Sequence, residues 1–309
     1  MTSLTSISFG STRSSLVANS LRAESICRST QTVSRVLKTG LGARLSVGQR
    51  RCHARVPARA RRAHAVMASE TRHMGSREPS QEVLDTFRSA DAVCFDVDST
   101  VCTDEGIDEL AAFLGAGEAV AAWTVKAMGG GIPFQDALKA RLDIMNPSRK
   151  NVEDYVASHP PLLSPGIDKL MSELQSHGKD VYLVSGGFRQ MINPVADALN
   201  IDRNRVFANT ILFDESTGDY AGFDTKEFTS RAGGKASAIE HIKTTYGYKS
   251  VVMMGDGATD LEARRPGGAS IFIGYGGVAF RENVAAGADW YVYDFQPVMD
   301  ELNRMQRNK

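Results

Sequence analysis

Long apolar runs and cysteines are scarce in this 309-residue sequence. No segment approaches the roughly 20 consecutive apolar residues that a membrane-spanning helix requires, so we expect no membrane partner. The chain has four cysteines, and the two that follow residue 67, Cys94 and Cys102, lack the spacing of a metal site. This indicates a reducing compartment, with both thiols serving as small buried side chains.

Acidic side chains are nearly absent from the first 67 residues. This region contains twelve Lys or Arg and one acid, Glu24, whereas the whole chain has 36 residues of each sign. Residues 68–309 therefore carry 24 basic and 35 acidic side chains, so the two regions have net charges of +11 and −11. The basic region is also rich in Ser, Thr and Ala and has no apolar centre. Such a composition is typical of an organelle transit peptide rather than of a secretory signal.

Details of this basic region favour a plastid destination. Residues 1–12 are uncharged and rich in hydroxyl groups, and residues 66–68, Val-Met-Ala, resemble a plastid processing site. We predict that residues 1–68 form a disordered transit peptide for import into the chloroplast stroma, with the mitochondrion as the alternative. A basic arm that binds nucleic acid is a further alternative. We disfavour it because no aromatic side chain is interleaved with the arginines beyond Phe9.

Apolar strands and amphipathic helices alternate along the rest of the chain. Strand-like runs lie at residues 92–95, 181–184, 251–254, 271–273 and 290–293. Helical periodicity between them predicts an α/β fold, a doubly wound, Rossmann-like parallel sheet with helices on both faces. Residues 211–213 and 220–223 predict a small β-hairpin.

One block interrupts this alternation. Residues 105–159 show helical periodicity, for example at Ile107, Leu110 and Phe113, and no convincing strand. We predict that this block is an inserted helical cap domain, and that residues 69–104 and 160–309 form the α/β core.

The segment Asp96-Val97-Asp98-Ser99-Thr100 directly follows the first apolar strand. Open α/β sheets bind ligands at the carboxyl ends of their strands. Packing gives no reason for two carboxylates at such an end, because Asp is a poor strand former and is costly to bury unpaired. A cation, a phosphate site or both would account for them. The alternative is that both residues merely cap the next helix.

A second acidic turn, residues 255–260, follows the strand at 251–254. Since the carboxyl ends of parallel strands lie along one edge, Asp256 and Asp260 should join Asp96 and Asp98 there. Such a cluster would be strongly repulsive without compensation. Mg²⁺, which prefers oxygen ligands, would neutralise it.

Groups suited to a phosphate occur at the same predicted edge. Ser185 offers a hydroxyl, and Gly186 and Gly187 offer unobstructed amides just before a helix. Lys235, after a Gly-Gly pair, can supply a positive charge. Each feature alone is weak, because Ser-Gly-Gly is often a plain turn and a lone lysine is usually solvated. Their shared position at strand ends makes the set informative.

These motifs resemble those of the haloacid-dehalogenase-like phosphatases, which carry Asp-x-Asp-x-Thr, a strand-end Ser or Thr, a Lys, and a Gly-Asp followed by a later Asp. The likeness covers about residues 80–309, and it is strongest to the branch of the family that hydrolyses phosphoserine. The segments that carry it are residues 96–101, 105–110, 127–130, 133–134, 141, 184–188, 233–235 and 254–260.

The resemblance implies roles for the acidic cluster. Asp96 would attack phosphorus and become an aspartyl phosphate. Asp98 would protonate the leaving oxygen and then take a proton from the hydrolytic water. Mg²⁺ would be held by the carboxylates of Asp96 and Asp256 and by the backbone carbonyl of Asp98, with Asp260 behind them.

The resemblance also implies which core residues contact the phosphate. Ser185, Gly186 and Lys235 would neutralise charge on the transferring group, where positioning and electrostatics dominate catalysis. Gly187 and Thr259 are further predicted substrate-binding residues.

From the cap, the resemblance implies recognition of the rest of the substrate. Glu105 and Arg141 would bind the amino and carboxylate groups, and Met128 and Phe134 would close over the substrate. Gly129 is a further predicted substrate-binding residue. Without the resemblance, Glu105 and Arg141 could equally form an ordinary surface ion pair.

The implied activity is hydrolysis of O-phosphoserine to serine and phosphate, the last step of the phosphorylated pathway of serine biosynthesis. We expect a monomer or homodimer whose partner is this small molecule, without nucleic acid. Two alternatives stay open. The same core could hydrolyse another small phosphomonoester or transfer its phosphate to a different alcohol. A phospho-acceptor signalling module also combines clustered Asp with Lys, but it needs neither Asp98 nor an inserted cap.

Overall fold

The computed structural model describes the backbone of residues 78–128 and 132–307, and the side chains of residues 78–124 and 132–304. The predicted transit peptide, residues 1–68, lies outside the described residues.

The described chain contains a six-stranded parallel sheet and a two-stranded hairpin. The strands are β1 (Ala92–Phe95), β2 (Asp180–Phe188), β3 (Val206–Asn209), β4 (Ile211–Phe213), β5 (Tyr220–Phe223), β6 (Val251–Gly255), β7 (Ile271–Tyr275) and β8 (Trp290–Val292). The sheet has the spatial order β3-β2-β1-β6-β7-β8, and β4 pairs with β5 in the antiparallel hairpin.

Strand β1 lies in the interior of the sheet, between β2 and β6. Phe95, its last residue, is in register with Leu183 of β2 and Met254 of β6. Asp96 is therefore placed at the carboxyl edge between two neighbouring strands, which is the position predicted from the sequence. Strand β3 was not predicted, because only four residues after a short turn are extended there.

The helices of the described chain are α1 (Gln81–Ser89), α2 (Gly106–Phe113), α3 (Gly117–Met128), α4 (Phe134–Met145), α5 (Arg149–Ser158), α6 (Ile167–Ser176), α7 (Arg189–Ala198), α8 (Gly234–Tyr246), α9 (Ala258–Leu261), α10 (Glu282–Gly287) and α11 (Gln296–Arg307). None of those described is both long and apolar enough to cross a membrane.

Two apolar clusters cover the two faces of the parallel sheet. One contains side chains of α1, α6, α7 and α11, and it includes Phe95 of β1. The other contains side chains of α8 and α10, and it includes Cys94 of β1. Successive strand side chains point to opposite faces, so neighbouring residues of β1 join different clusters. The predicted doubly wound fold is confirmed.

Both cysteines of the described chain are buried, as predicted. Cys94 is fully buried in β1 and Cys102 is 5% exposed. Burial raises the pKa of both thiols, so they remain protonated and act as small apolar side chains.

Helices α2 to α5 form the predicted helical insertion between β1 and α6. Their buried side chains, such as Leu110, Leu142 and Val152, form a third apolar cluster. Ile211 of the hairpin is buried in the same cluster, with Phe213 packed against it. The hairpin therefore packs on the cap helices, although it belongs to the segment predicted as core. The domain boundaries themselves stay a prediction.

Strand β2 is longer than predicted. It continues through Ser185, Gly186 and Gly187 to Phe188, so these residues are extended rather than a turn. The pairing with β3 shifts register between Val184 and Phe188. Such an irregularity re-aims backbone groups at the end of a strand. Helix α7 then begins immediately, at Arg189.

Candidate active site

The chain turns sharply after Asp96. Residues Val97–Val101 form an irregular helical turn that is interrupted at Asp98 and Ser99. Ser99 has a φ of 53°, in the left-handed region that a non-glycine residue seldom occupies. Its hydroxyl donates a hydrogen bond to Oε1 of Glu105 at 2.7 Å. The turn thus brings the first residue of the predicted cap next to the carboxyl edge of the sheet.

Three carboxylates converge at this edge. Asp96, Asp256 and Asp260 are all buried, and each offers an oxygen within 4.8 Å of the oxygens of the other two. A Cβ on Gly255 would lie 2.2 Å from Oδ2 of Asp260, so only glycine at that position permits this approach. The buried set of oxygen ligands fits a hard divalent cation.

Lys235 provides the buried positive charge of the cluster. Its Nζ lies 2.8 Å from Oδ1 of Asp96 and 2.6 Å from Oδ1 of Asp260. Burial disfavours the charged lysine, but the two carboxylates outweigh it and raise the pKa of Lys235. The other oxygen of Asp260 accepts a hydrogen bond from the amide of Gly257 at 2.9 Å. Both oxygens of Asp260 are therefore engaged by the protein itself.

Asp98 lies apart from this trio. Its Oδ1 accepts a hydrogen bond from the amide of Gly106 at 2.9 Å, and a Cβ on Gly187 would lie 3.1 Å from its Oδ2. Burial, together with the charge of Asp96, raises the pKa of Asp98 to about 7. A carboxyl group with such a pKa can both donate and accept a proton near neutral pH.

Arg281 is a charged residue of the site that the sequence analysis did not find. Its Nε and Nη2 lie 3.0 and 2.8 Å from Oδ2 of Asp256. Its Nη2 is also 3.8 Å from Oε1 of Glu105. The other oxygen of Asp256 accepts a hydrogen bond from the Thr100 hydroxyl at 3.3 Å. Burial and Asp96 raise the pKa of Asp256, and Arg281 opposes this shift.

The predicted phosphate-binding residues line the same place. Ser185 is fully buried, and its Oγ accepts a hydrogen bond from the amide of Gly187 at 2.9 Å. Gly186 is fixed from behind, because its carbonyl accepts a hydrogen bond from Nδ2 of Asn209 at 2.8 Å. The hydroxyl of Thr229 in turn donates to Oδ1 of Asn209 at 3.2 Å. Asn209 and Thr229 are supports that the sequence analysis missed.

The described cap residues close the opposite side. A Cβ on Gly186 would lie 3.6 Å from Cζ of Phe134, so the aromatic ring covers the strand end. Arg141 lines the cavity, and its Nε is buried without a hydrogen-bond partner among the described residues. Burial lowers the pKa of Arg141, and nearby carboxylates oppose that shift. The side chain of Met128 and all of Gly129 lie outside the described residues.

One cavity of about 220 Å³ joins these groups. Its lining contains Asp96, Asp98, Glu105, Phe134, Arg141, Gly186, Gly187, Lys235, Asp256, Thr259, Arg231 and Arg281. The sequence-predicted residues from core and cap therefore meet in one space, with Ser185 and Asp260 directly behind its wall. Glu105 and Arg141 do not form an ion pair with each other, which was the alternative interpretation of these two residues. Their catalytic and binding roles stay predictions.

This arrangement has a counterpart among known families. A family profile described as haloacid dehalogenase-like hydrolase matches residues 90–268, which is more than half of the chain. The chain belongs to the haloacid dehalogenase-like hydrolases.

Named relatives narrow the comparison. The chain is 58% identical over 231 residues to the chloroplastic phosphoserine phosphatase of Arabidopsis thaliana, covering 75% of this chain and 78% of that one. It is similar to the solved structure of a phospho-aspartyl intermediate analogue of phosphoserine phosphatase, with a TM-score of 0.58, 26% identity, and coverage of 68% and 98%. These matches confirm the prediction of an enzyme that hydrolyses phosphoric monoesters.

One further structural match is to a longer protein. The structure of DsGPDH of Dunaliella salina has a TM-score of 0.65 and 37% identity over 73% of this chain. The chain spans only 38% of that longer protein.

Proposed function

We propose that this protein hydrolyses O-phosphoserine to serine and phosphate through an aspartyl phosphate on Asp96. The observation that carries the substrate assignment is the buried Nε of Arg141, which has no partner among the described residues. A buried donor nitrogen without a hydrogen-bond partner is costly. A substrate carboxylate would satisfy it, with up to two charge-assisted hydrogen bonds.

Glu105 supplies the complementary charge for the amino group. It lines the same cavity as Arg141 and Asp96, and its Oε1 is held by Ser99 at 2.7 Å. A substrate with a phosphate, an ammonium and a carboxylate would place each group against a charge of opposite sign. Phosphoserine as that substrate is supported by the names of the Arabidopsis relative and of the protein in the similar solved structure.

The contacts of Asp96 suit a nucleophile. Its Oδ1 accepts a hydrogen bond from the Val97 amide at 2.8 Å and lies 2.8 Å from Nζ of Lys235. Both of these polar contacts engage Oδ1. The other oxygen, Oδ2, is left to attack phosphorus, and the carboxylate is oriented for that attack.

Asp98 is the proton carrier in this proposal. Its raised pKa of about 7 lets it hold a proton for the departing serine oxygen. It then accepts a proton from the water that hydrolyses the acyl phosphate. The hydrogen bond from Gly106 fixes one of its oxygens, which leaves the other for proton transfer.

The carboxylates of Asp96 and Asp256 fit the direct ligands of Mg²⁺, together with the backbone carbonyl of Asp98. Asp260 fits a supporting position, because its oxygens are held by the buried Lys235 and by the backbone amide of Gly257, whereas the charged partner of Asp256 is the partly exposed Arg281. When bound, Mg²⁺ supplies the positive charge that allows a phosphate dianion to approach the acidic edge.

We further propose that residues 1–68 direct the protein to the chloroplast stroma. The proposal is supported by the net charge of +11 in residues 1–67 and by the chloroplastic relative. A fluorescent fusion of residues 1–68 should accumulate in plastids, and accumulation in the cytosol or in mitochondria would contradict the assignment.

A matched substrate series tests the proposed activity. Phosphate release with Mg²⁺ present is measured for O-phosphoserine, for O-phosphoethanolamine, which lacks the carboxylate, and for 3-phosphoglycerate, which has a hydroxyl in place of the amine. Each lost charged contact should lower kcat/KM by about tenfold or more. Equal kcat/KM values across the series would contradict recognition by Arg141 and Glu105. A higher value for another phosphomonoester would reassign the substrate.

A further inference from the structure

Arg281 contacts the carboxylate that the proposed function assigns to the metal. Two of its nitrogens converge on Oδ2 of Asp256 at 3.0 and 2.8 Å. Thr100 donates to the remaining oxygen, Oδ1, at 3.3 Å. Both oxygens of Asp256 are thus engaged within the protein, and the side chain is only 4% exposed. A cation that coordinates Asp256 through Oδ2 must displace the guanidinium, because two cations cannot share one oxygen at close range without repulsion.

Lys235 and Arg281, which both contact carboxylates of the acidic edge, differ in their freedom to move. Lys235 is buried and held between Asp96 and Asp260. The side chain of Arg281 is 42% exposed and belongs to the segment between β7 and α10. An exposed arginine can leave a carboxylate at much lower cost than a buried lysine, because water solvates its charge.

An acceptor for a displaced Arg281 is already in place. Oε1 of Glu105 lies 3.8 Å from Nη2 of Arg281, so a small movement replaces the contact with Asp256 by a contact with Glu105. Glu105 is partly exposed and is anchored by Ser99. The guanidinium would therefore remain paired after it leaves Asp256.

We propose that Arg281 is an exchangeable counter-ion that occupies Asp256 in the metal-free protein and competes with the divalent cation for it. The proposal rests on the cation site of the proposed function. It predicts that Arg281 lowers the affinity for the cation and stabilises the metal-free protein. A fixed supporting residue that orients Asp256 for the metal would have the opposite effect on affinity.

The sign of one change in affinity separates these roles. Mg²⁺ binding to the full chain is measured by isothermal titration calorimetry, without substrate, for the wild type and for Arg281→Gln. The variant keeps a polar side chain and removes the charge, and it should bind Mg²⁺ about fivefold more tightly or better. Arg231→Gln is the matched control, because Arg231 lines the same cavity and forms no ion pair with the described residues. Its affinity should change by about twofold or less.

Thermal unfolding gives a second readout that does not depend on activity. Metal-free Arg281→Gln should melt below the wild type, because it leaves Asp256 uncompensated. Saturating Mg²⁺ should raise its Tm more than it raises that of the wild type. Weaker Mg²⁺ binding by Arg281→Gln, or a smaller Tm gain, would overturn the counter-ion proposal while leaving the phosphatase assignment intact. Absence of Mg²⁺ binding to the wild type would instead overturn the metal assignment, and the counter-ion proposal with it.

Discussion

Asp91 lies at the amino end of the sheet and Asp256 at its carboxyl end, and their carboxylates have different surroundings. Asp91 accepts hydrogen bonds from the backbone amides of Lys249 and Ser250 at 2.7 and 2.9 Å, and these bonds lower its pKa. Burial and Asp96 raise the pKa of Asp256. The protein satisfies the charge at one end, whereas at the other end it crowds like charges that an added cation would relieve.

Two lysines that are buried in the described part of the chain show the same contrast. Lys179, at the amino end, donates to the carbonyl oxygens of Arg88 and Ala90 at 2.9 and 2.8 Å. Burial lowers its pKa to about 8. Lys235, at the carboxyl end, contacts two carboxylates, which raise its pKa. The difference indicates that Lys179 serves the fold and that Lys235 serves a site built for negative charge.

The largest effect should come from the nucleophile at the carboxyl end. Asp96→Asn keeps the shape of the side chain but cannot form an acyl phosphate, so turnover of phosphoserine should fall by roughly 10³-fold or more. Steady-state phosphate release checks this. The matched variant at the other end, Asp91→Asn, should keep near-normal turnover. Near-normal turnover by Asp96→Asn would place the nucleophile elsewhere.

Replacement of Lys235 by Met should give the next largest effect, and the same replacement of Lys179 is its control. Lys235→Met should lower kcat by roughly 10²-fold or more, because it removes the fixed positive charge beside Asp96. Lys179→Met should leave kcat and KM near the wild-type values, because the nearest groups are backbone carbonyls. Comparable losses of kcat in the two variants would show that the contrast between the ends has no catalytic meaning.

A smaller and more selective effect is expected at the cap. Arg141→Ala should lower kcat/KM for phosphoserine by about tenfold or more, since a charge-assisted contact with the carboxylate is lost. Hydrolysis of p-nitrophenyl phosphate, which lacks that carboxylate, should change far less. Equal losses on the two substrates would mean that Arg141 supports the cap rather than reading the substrate.

Much of this site follows from the sequence because motif residues occupy strand ends. Asp96 and Asp256 each follow or end an apolar run, and parallel strands bring such ends together. The presence of helices between the strands and the helical block after β1 also followed from apolar periodicity. The long β2 did not, because Gly186 and Gly187 indicate a turn when no neighbouring strand is known.

Arg281 could not be found in this way. It lies in a loop after Gly-Gly-Val-Ala-Phe, where an arginine is usually solvated. Its contact with Asp256 depends on how the segment between β7 and α10 crosses the end of β6. Asn209 was missed for a related reason, since β3 was not predicted and its last residue supports Gly186 only within the folded sheet. A residue whose role depends on its position in the folded protein leaves no recognisable pattern in the neighbouring sequence.

The smallest expected effect concerns stability and pH at the amino end. The pKa of Lys179 falls from its ordinary 10.5 to about 8 on folding. Between these values the unfolded chain binds a proton that the folded protein has released, so this residue makes stability rise with pH across that window. Below about pH 8 the cost of burying its charge is fully present.

Denaturant unfolding between pH 7.5 and 10.5 measures this slope. Lys179→Met should lack the contribution, whereas Lys169→Met, which removes an exposed lysine of α6, should retain it. Identical slopes in all three proteins would show that Lys179 stays protonated throughout and that the two ends do not differ in this respect.

Chemical trapping of the intermediate tests the central claim most directly. The enzyme is mixed with phosphoserine and Mg²⁺, quenched during turnover, and treated with borohydride, which reduces an acyl phosphate of Asp to homoserine. Peptide mass spectrometry should then find homoserine at position 96 and at no other acidic position, and only when phosphoserine was present. Homoserine at another position, or none despite active turnover, would contradict the assignment of Asp96 as the nucleophile at the carboxyl end of the sheet.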